Sequence, residues 1–266
     1  MYKLISTDLD GTLLNDDSNL PEVNKEYLMK ALGKGVKICV NSGRSFKSIK
    51  QFEAQLGIVN EGNYGAGFNG ALIYESHNHN ILSDIRMSND TAKMVIKALR
   101  QYKTNIMVYI TDKLIAEEFT EAVKQYCLVN GLKFHLADSF DDIAEDISKV
   151  IIRDEPEVLA EIKAYMEKII DGKVNMFFSA SNLLEFTNLE ANKGEAIVFL
   201  AEKLGIKPEE IIAVGDNYND IPMLKKAGLA IAVANAVDEL KEVADYVTTN
   251  DNNEGVFKEI VEKFIL

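Results

Sequence analysis

Apolar positions recur along this chain at distinct spacings, and their order predicts the architecture. The short apolar run Leu4-Ile5 begins a strand over Leu4 to Asp8, and Val36 to Val40 reads as a continuous apolar strand. Between them Val23, Tyr27, Leu28, Ala31 and Leu32 fall three or four residues apart, which predicts a helix over Pro21 to Leu32 closed by Gly33 and Gly35. A second helix is expected over Ser45 to Leu56. Strand, helix and strand in this order predict a parallel sheet with right-handed crossovers. A short strand near Gly67-Phe68, the turn Asn69-Gly70 and the run Ala71 to Tyr74 then read as the start of a hairpin.

The middle of the chain has another texture. Asn89 is placed to cap a helix over Asp90 to Tyr102, followed by a strand at Asn105 to Ile110, a helix around Phe119 to Val129 and a strand at Lys149 to Ile152. Pro156 opens a helix to Ile170, and two strands, Asn175 to Ser179 and Leu183 to Thr187, run back to back. From Lys193 the alternating rhythm returns: helix to Leu204, strand Ile211 to Val214, helix Asp220 to Ala227, strand Leu229 to Val233, short segments at Asp238 to Val243 and Tyr246 to Thr248, and a last helix Val256 to Phe264. The expectation is a discontinuous α/β core of parallel strands over residues 1–82 and 189–266, with a compact α+β domain, 83–188, inserted between.

Charge narrows the range of partners. Acidic residues outnumber basic ones, 42 to 29, and the net charge of −13 argues against nucleic acid or anionic membranes as partners. Cys39 lies in an apolar run and Cys127 in a helical pattern, without a CxxC pairing, so both are expected to be buried small hydrophobes. Met1 to Ser6 leads straight into a strand without a signal-peptide pattern, and no stretch reaches the roughly 18 apolar residues of a membrane span, so a cytoplasmic protein is expected. The acid-rich segment Asp138 to Asp146 is expected to be a solvated face.

Chemistry concentrates where apolar strands end. Asp8-Leu9-Asp10-Gly11-Thr12 follows the first, and Gly215-Asp216-Asn217-Tyr218-Asn219-Asp220 follows Ile211 to Val214. Carboxylates past the carboxyl ends of strands in an open α/β sheet fall in the ligand crevice, and acids crowded there suit a hard divalent cation such as Mg²⁺. If the chain stays extended, Asp8 and Asp10 project to one side, one as nucleophile and the other as proton shuttle. Gly11 offers an unhindered N–H to phosphate oxygens and Thr12 a hydroxyl. Asn41-Ser42-Gly43-Arg44 follows the second strand, where the Ser42 hydroxyl and adjacent N–H groups can bind phosphate, Ser42 can equally be a turn residue, and Arg44 can pair with a carboxylate. Lys193-Gly194 opens a helix, where a lysine can stabilise a nucleophile and a phosphoryl group, or be one more surface lysine.

These motifs, in this order, closely resemble those of the haloacid dehalogenase (HAD) superfamily of phosphohydrolases. The insert's position between the second and third motifs, Asn69-Gly70-Ala71 before it, and a fourth motif running on to Met223 resemble the type IIB cap subfamily of Cof-like sugar-phosphate phosphatases. The resemblance implies a Rossmann-like core with a cap that selects substrate, and a phosphatase acting on a small phosphorylated metabolite through an aspartyl-phosphate. It implies Asp8 as nucleophile and metal ligand, and Asp10 as acid/base whose backbone carbonyl meets Mg²⁺. Asp216 would be the second metal carboxylate. Gly11, Thr12, Ser42, Gly43, Lys193 and Asn219 would surround the phosphate, with Arg44, Asn217 and Asp220 in support. A phosphotransferase or mutase on the same site, a receiver-like signalling domain and a non-catalytic phospho-metabolite sensor are the alternatives. An acid/base at Asp10 and a cap that shields the site speak against the receiver.

Overall fold

A computed structural model describes residues 1–111, 113–130 and 132–266. The chain divides into two compact units, Met1–Asp84 with Asn192–Leu266, and Ile85–Ala191. The first stretch carries β1 (Leu4–Thr7), α1 (Glu22–Gly33), β2 (Lys37–Asn41), α2 (Phe46–Leu56), β3 (Tyr64–Gly67), β4 (Leu72–Glu75) and β5 (Ile81–Asp84). The insert follows with α3 (Asn89–Leu99), β6 (Asn105–Ile110), β7 (Lys113–Ala116), α4 (Glu121–Asn130), β8 (Phe134–Leu136), β9 (Lys149–Arg153), α5 (Pro156–Ile170), β10 (Val174–Ala180) and β11 (Leu183–Asn188). The return adds α6 (Lys193–Leu204), β12 (Ile211–Gly215), α7 (Ile221–Leu224), β13 (Leu229–Ala232), α8 (Asp238–Lys241), β14 (Tyr246–Val247) and α9 (Val256–Phe264).

The larger unit is an α/β, Rossmann-like domain around one sheet in the order β14-β13-β12-β1-β2-β3-β4-β5. Strands β14 to β3 run parallel, as their continuous apolar runs require of strands covered on both faces, and β4 and β5 turn back antiparallel. β1 is buried along its whole length. Its Ile5 pairs with Ile212 on one side and Ile38 on the other, which puts the first strand at the centre of the sheet and core. The insert is α+β: a sheet in the order β10-β11-β9-β6-β7-β8, antiparallel except for the β7–β8 pair. Val108, Ile110, Val150, Ile152, Leu184 and Phe186 join Val95, Leu159 and Ile162 of α3 and α5 in a core of the insert's own.

Several local expectations need correction. β5, β7 and β8 were not foreseen: each is four residues or fewer, and no position of β5 or β8 is buried, so no run of buried apolar residues marks them. The cap of α3 is Ser88, whose hydroxyl accepts from the Thr91 N–H, and Asn89 starts the helix. The helix expected over Asp220 to Ala227 is a 3₁₀ turn at Tyr218–Asp220 and the single turn of α7, after which the Lys226 N–H turns to the Met223 carbonyl three residues back. Cys39 and Cys127 are buried free thiols. Asp138, Asp141, Asp142, Glu145 and Asp146 are exposed as expected. Among the described residues no helix is long and apolar enough to cross a membrane.

Asn24, fully buried on α1, joins the sequence-distant ends of the core. Its Nδ2 donates to the Leu13 carbonyl at 2.9 Å, and its Oδ1 accepts from the Phe257 N–H at 3.0 Å, in the first turn of α9 where no helical partner exists. Asn24→Ala strands both groups and is expected to cost about 2–4 kcal/mol, since each unsatisfied buried group costs roughly 1–3. A urea midpoint within error of the parent's would show that these bonds are replaced by water.

Candidate active site

From β1 the chain proceeds to β2 and β3 on one side of the sheet, while β12, β13 and β14 extend on the other. The order therefore reverses between β1 and β12, and such a switch point opens a crevice outside the carboxyl ends of the strands. Asp8 leaves β1 there and Asp216 leaves β12, held in register by the Asp8 N–H donating to the Val214 carbonyl at 3.0 Å. Ser42 leaves β2 beside them, its N–H on the Ala66 carbonyl at 2.9 Å.

Lys193 joins these strand ends. Its Nζ donates to Asp8 Oδ1 at 2.7 Å and to Asp220 Oδ1 at 2.6 Å, with the lysine and Asp220 both fully buried. It is no surface lysine. Asn192 caps α6 by accepting from the Glu195 N–H, and buried Asn41 donates from Nδ2 to the Lys193 carbonyl at 3.0 Å, so both side chain and backbone of Lys193 are tied into the site. Asp220 is spent on structure: its Oδ2 accepts from the N–H groups of Asp216 and Asn217 at 2.9 and 3.0 Å, which curls the loop beneath Asp216. Asn217 turns its own Oδ1 to the Tyr218 N–H and stays outside the acid cluster.

The extended path expected after Asp8 is not found. The N–H groups of Thr12, Leu13 and Leu14 all point back to the Leu9 carbonyl, at 3.3, 3.0 and 2.8 Å, so the chain turns and separates the two carboxylates. Asp8 is buried, whereas the Asp10 side chain is 51% exposed and accepts both Nε (2.7 Å) and Nη2 (2.5 Å) of Arg44. Gly11 has φ +74°, and a Cβ there would lie 2.5 Å from Asp216 Oδ2, so the turn and the close approach both require glycine. The Thr12 hydroxyl donates to Asp216 Oδ1 at 2.8 Å and so orients a carboxylate, where contact with phosphate was expected. Ser42 Oγ accepts from the Arg44 N–H at 3.2 Å, and Gly43 lies between these two in the loop.

Three asparagines of this site were not foreseen: Asn41, Asn69, which accepts from Asn219 Nδ2 at 3.0 Å, and Asn235, which donates to the Gly11 carbonyl at 2.8 Å. Asn41 and Asn69 lie inside motifs already singled out, so their positions were visible though their partners were not. Asn235 carries no local signal.

Carboxylate oxygens of Asp8, Asp216 and Asp220 lie within 4.8 Å of one another. Burial pushes the Asp8 carboxyl well above its ordinary range; Lys193 opposes the shift, while Asp220, Asp216 and Asp10 add to it. Asp216 is raised to about 7, by burial first and then by Asp220. Burial alone would lower the Lys193 ammonium, but Asp220 and Asp8 override it and hold it above its usual value. With three acids about one ammonium, the crevice carries surplus negative charge.

Residues 5–260 match the family of haloacid dehalogenase-like hydrolases, and the chain belongs to that family, with the α+β insert between its second and third motifs. It is 32% identical to YxeH of Bacillus subtilis (strain 168), over 98% of this chain and 98% of that one. It is also 32% identical to the 5-amino-6-(5-phospho-D-ribitylamino)uracil phosphatase YcsE of the same organism, over 97% of this chain and 94% of that one. Among solved structures, a haloacid dehalogenase-like hydrolase from Bacteroides thetaiotaomicron is similar, with a TM-score of 0.90 at 28% identity, covering 99% of this chain and 100% of that chain.

The raised Asp216 carboxyl carries a pH signature. Its folded value of about 7 exceeds the 3.8 of the free group, so between these limits the folded state holds a proton that the unfolded state has lost, and its contribution to stability falls as pH rises through that window. Asp216→Asn removes the titration. In metal-free protein the variant is expected to melt a few degrees above the parent at about pH 8 and to lose that advantage at about pH 4. A melting difference that does not change with pH would contradict the placement of Asp216.

Proposed function

We propose that this hydrolase is a Mg²⁺-dependent phosphatase that releases phosphate from a small phosphorylated metabolite of the sugar-phosphate class, through an aspartyl-phosphate on Asp8. The observation that carries the reading is the buried Asp8–Lys193–Asp220 chain beside Asp216: a fixed carboxylate with its charge held by one ammonium, at the switch point of the sheet. The donor set fits a divalent cation, because it offers hard oxygen ligands in a pocket with surplus negative charge. Both Asp220 oxygens are engaged by Lys193 and backbone N–H groups, so Asp8 and Asp216 are the carboxylates left to hold the ion. The Asp10 carboxylate faces Arg44, which leaves its main-chain carbonyl as that residue's contribution. When bound, Mg²⁺ supplies positive charge to the phosphoryl oxygens and orients them toward Asp8.

In the first half-reaction an Asp8 oxygen attacks phosphorus and the ester P–O bond breaks. Asp10, entering this step in its protonated form, gives its proton to the departing alcohol oxygen and is left as the carboxylate that faces Arg44. In the second half-reaction water attacks the phosphorus of the aspartyl-phosphate, Asp10 takes its proton, and the Asp8–phosphorus bond breaks to release phosphate. Ser42, Gly43 and the Gly11 N–H receive phosphoryl oxygens, Lys193 counters their charge, and Asn219 stands alongside. Arg44, by pairing with Asp10, sets where that carboxylate rests. The insert, which has a core of its own, takes the role of selecting the substrate. Two buried free thiols suit the reducing cytoplasm as its compartment.

Phosphate release from a panel of phosphorylated metabolites, with and without EDTA, tests the reading: Mg²⁺-dependent turnover of at least one sugar phosphate is expected, and turnover of none would refute it. Asp8→Asn is expected to abolish turnover while the circular dichroism spectrum stays that of the parent. Asp10→Asn should lose about 10²–10⁴-fold in kcat while Mg²⁺ affinity measured by calorimetry changes far less. Joint collapse of both quantities would make Asp10 primarily a metal ligand.

A further inference from the structure

Phe68, Asn69 and Gly70 form a turn with positive φ at three successive positions, +52°, +56° and +91°. Phenylalanine is a steric outlier in this region and asparagine is merely tolerated. Such strain persists where the surroundings impose it, and it clusters at functional sites.

The surroundings are the motif loops. The Phe68 N–H donates to the Arg44 carbonyl and the Asn69 N–H to the Ser42 carbonyl, both at 3.0 Å, so the turn shapes the Ser42–Gly43–Arg44 loop through its main chain. Asn69 Oδ1 holds Asn219 Nδ2 at 3.0 Å, the one side-chain bond recorded for Asn219 among the described residues. A Cβ on Gly70 would stand 2.4 Å from the carbonyl oxygen of Asn192, directly before Lys193. One turn thus touches the loops after β2 and β12 and the start of α6.

Asn69 also leaves a cost unmet. It is buried, and its Nδ2 has no hydrogen-bond partner among the described residues. A buried donor left without a partner is destabilising, because folding strips it of water and returns no hydrogen bond. A left-handed backbone and an unspent donor on one residue are hard to explain by stability alone.

We infer that Asn69 is a positioning residue for phosphoryl binding, acting through Asn219 and the Ser42 loop, an inference that rests on the phosphatase reading above. Asn69→Gly separates side chain from backbone, because glycine keeps the left-handed turn and its main-chain bonds. The readout is the affinity for inorganic phosphate in the presence of Mg²⁺, measured by calorimetry. Asn69→Gly should weaken it about three- to tenfold, the equivalent of one lost hydrogen bond, with a melting temperature within a few degrees of the parent's and a KM that rises more than kcat falls. Asn219→Ala should weaken it comparably. The double variant should be no weaker than the worse single one, because both lose the same contact. Unchanged phosphate affinity in Asn69→Gly, or losses that multiply in the double variant, would overturn the inference while the phosphatase reading stands. A parent protein that neither binds nor releases phosphate would remove the reading and the inference together.

Discussion

One buried ammonium makes the rest of the site possible. Without Lys193, the buried Asp8 would share a low-dielectric crevice with two further carboxylates, Asp216 and Asp220, and the one cation that opposes the upward push on its carboxyl would be gone. Without the carboxylates, the fully buried Lys193 would in turn lose its charge. Buried pairs of this kind add little net stability, but removing one partner is severe, because the other charge is left uncompensated. The site is therefore all or nothing, and its members come from the end of β1, the start of α6 and the loop after β12, elements that the folded sheet brings together.

That dependence explains which features were legible in the sequence. The central strands could be read because strands covered on both faces favour apolar runs, and Leu4-Ile5, Ile38-Cys39-Val40 and Ile211 to Val214 supply them in β1, β2 and β12. Their order with α1 and α2 predicted the parallel sheet, and acids just past the strand ends predicted the crevice. Lys193 was ambiguous because nothing local distinguishes a helix-start lysine that is solvated from one that is entombed, and its burial is decided by Asp8 and Asp220, far away in the chain. The partner of Thr12 was hidden for the same reason: its hydroxyl has an acceptor nearby, on Asp216, which no local pattern reveals.

The relation between Asp8 and Asp10 failed at another level. Two-residue spacing places side chains on one side only while the backbone stays extended, and here three N–H groups converge on the Leu9 carbonyl and curl it. The consequence is that the two carboxylates end in different environments, one buried beside Lys193 and its neighbour facing Arg44 near solvent. Strain at Phe68 and Asn69 was likewise invisible, since Asn69-Gly70 reads as an ordinary turn and only its contacts with Ser42 and Asn219 give it meaning.

The central claim is that Asp8, charged and fixed by Lys193, attacks phosphorus. Acid quenching during turnover, borohydride reduction and peptide mass spectrometry would test it directly, because reduction converts an aspartyl-phosphate to homoserine. Homoserine at position 8, dependent on substrate and Mg²⁺, is the expected result. Steady turnover with position 8 unmodified, or with homoserine at position 10 in its place, would contradict Asp8 as the nucleophile.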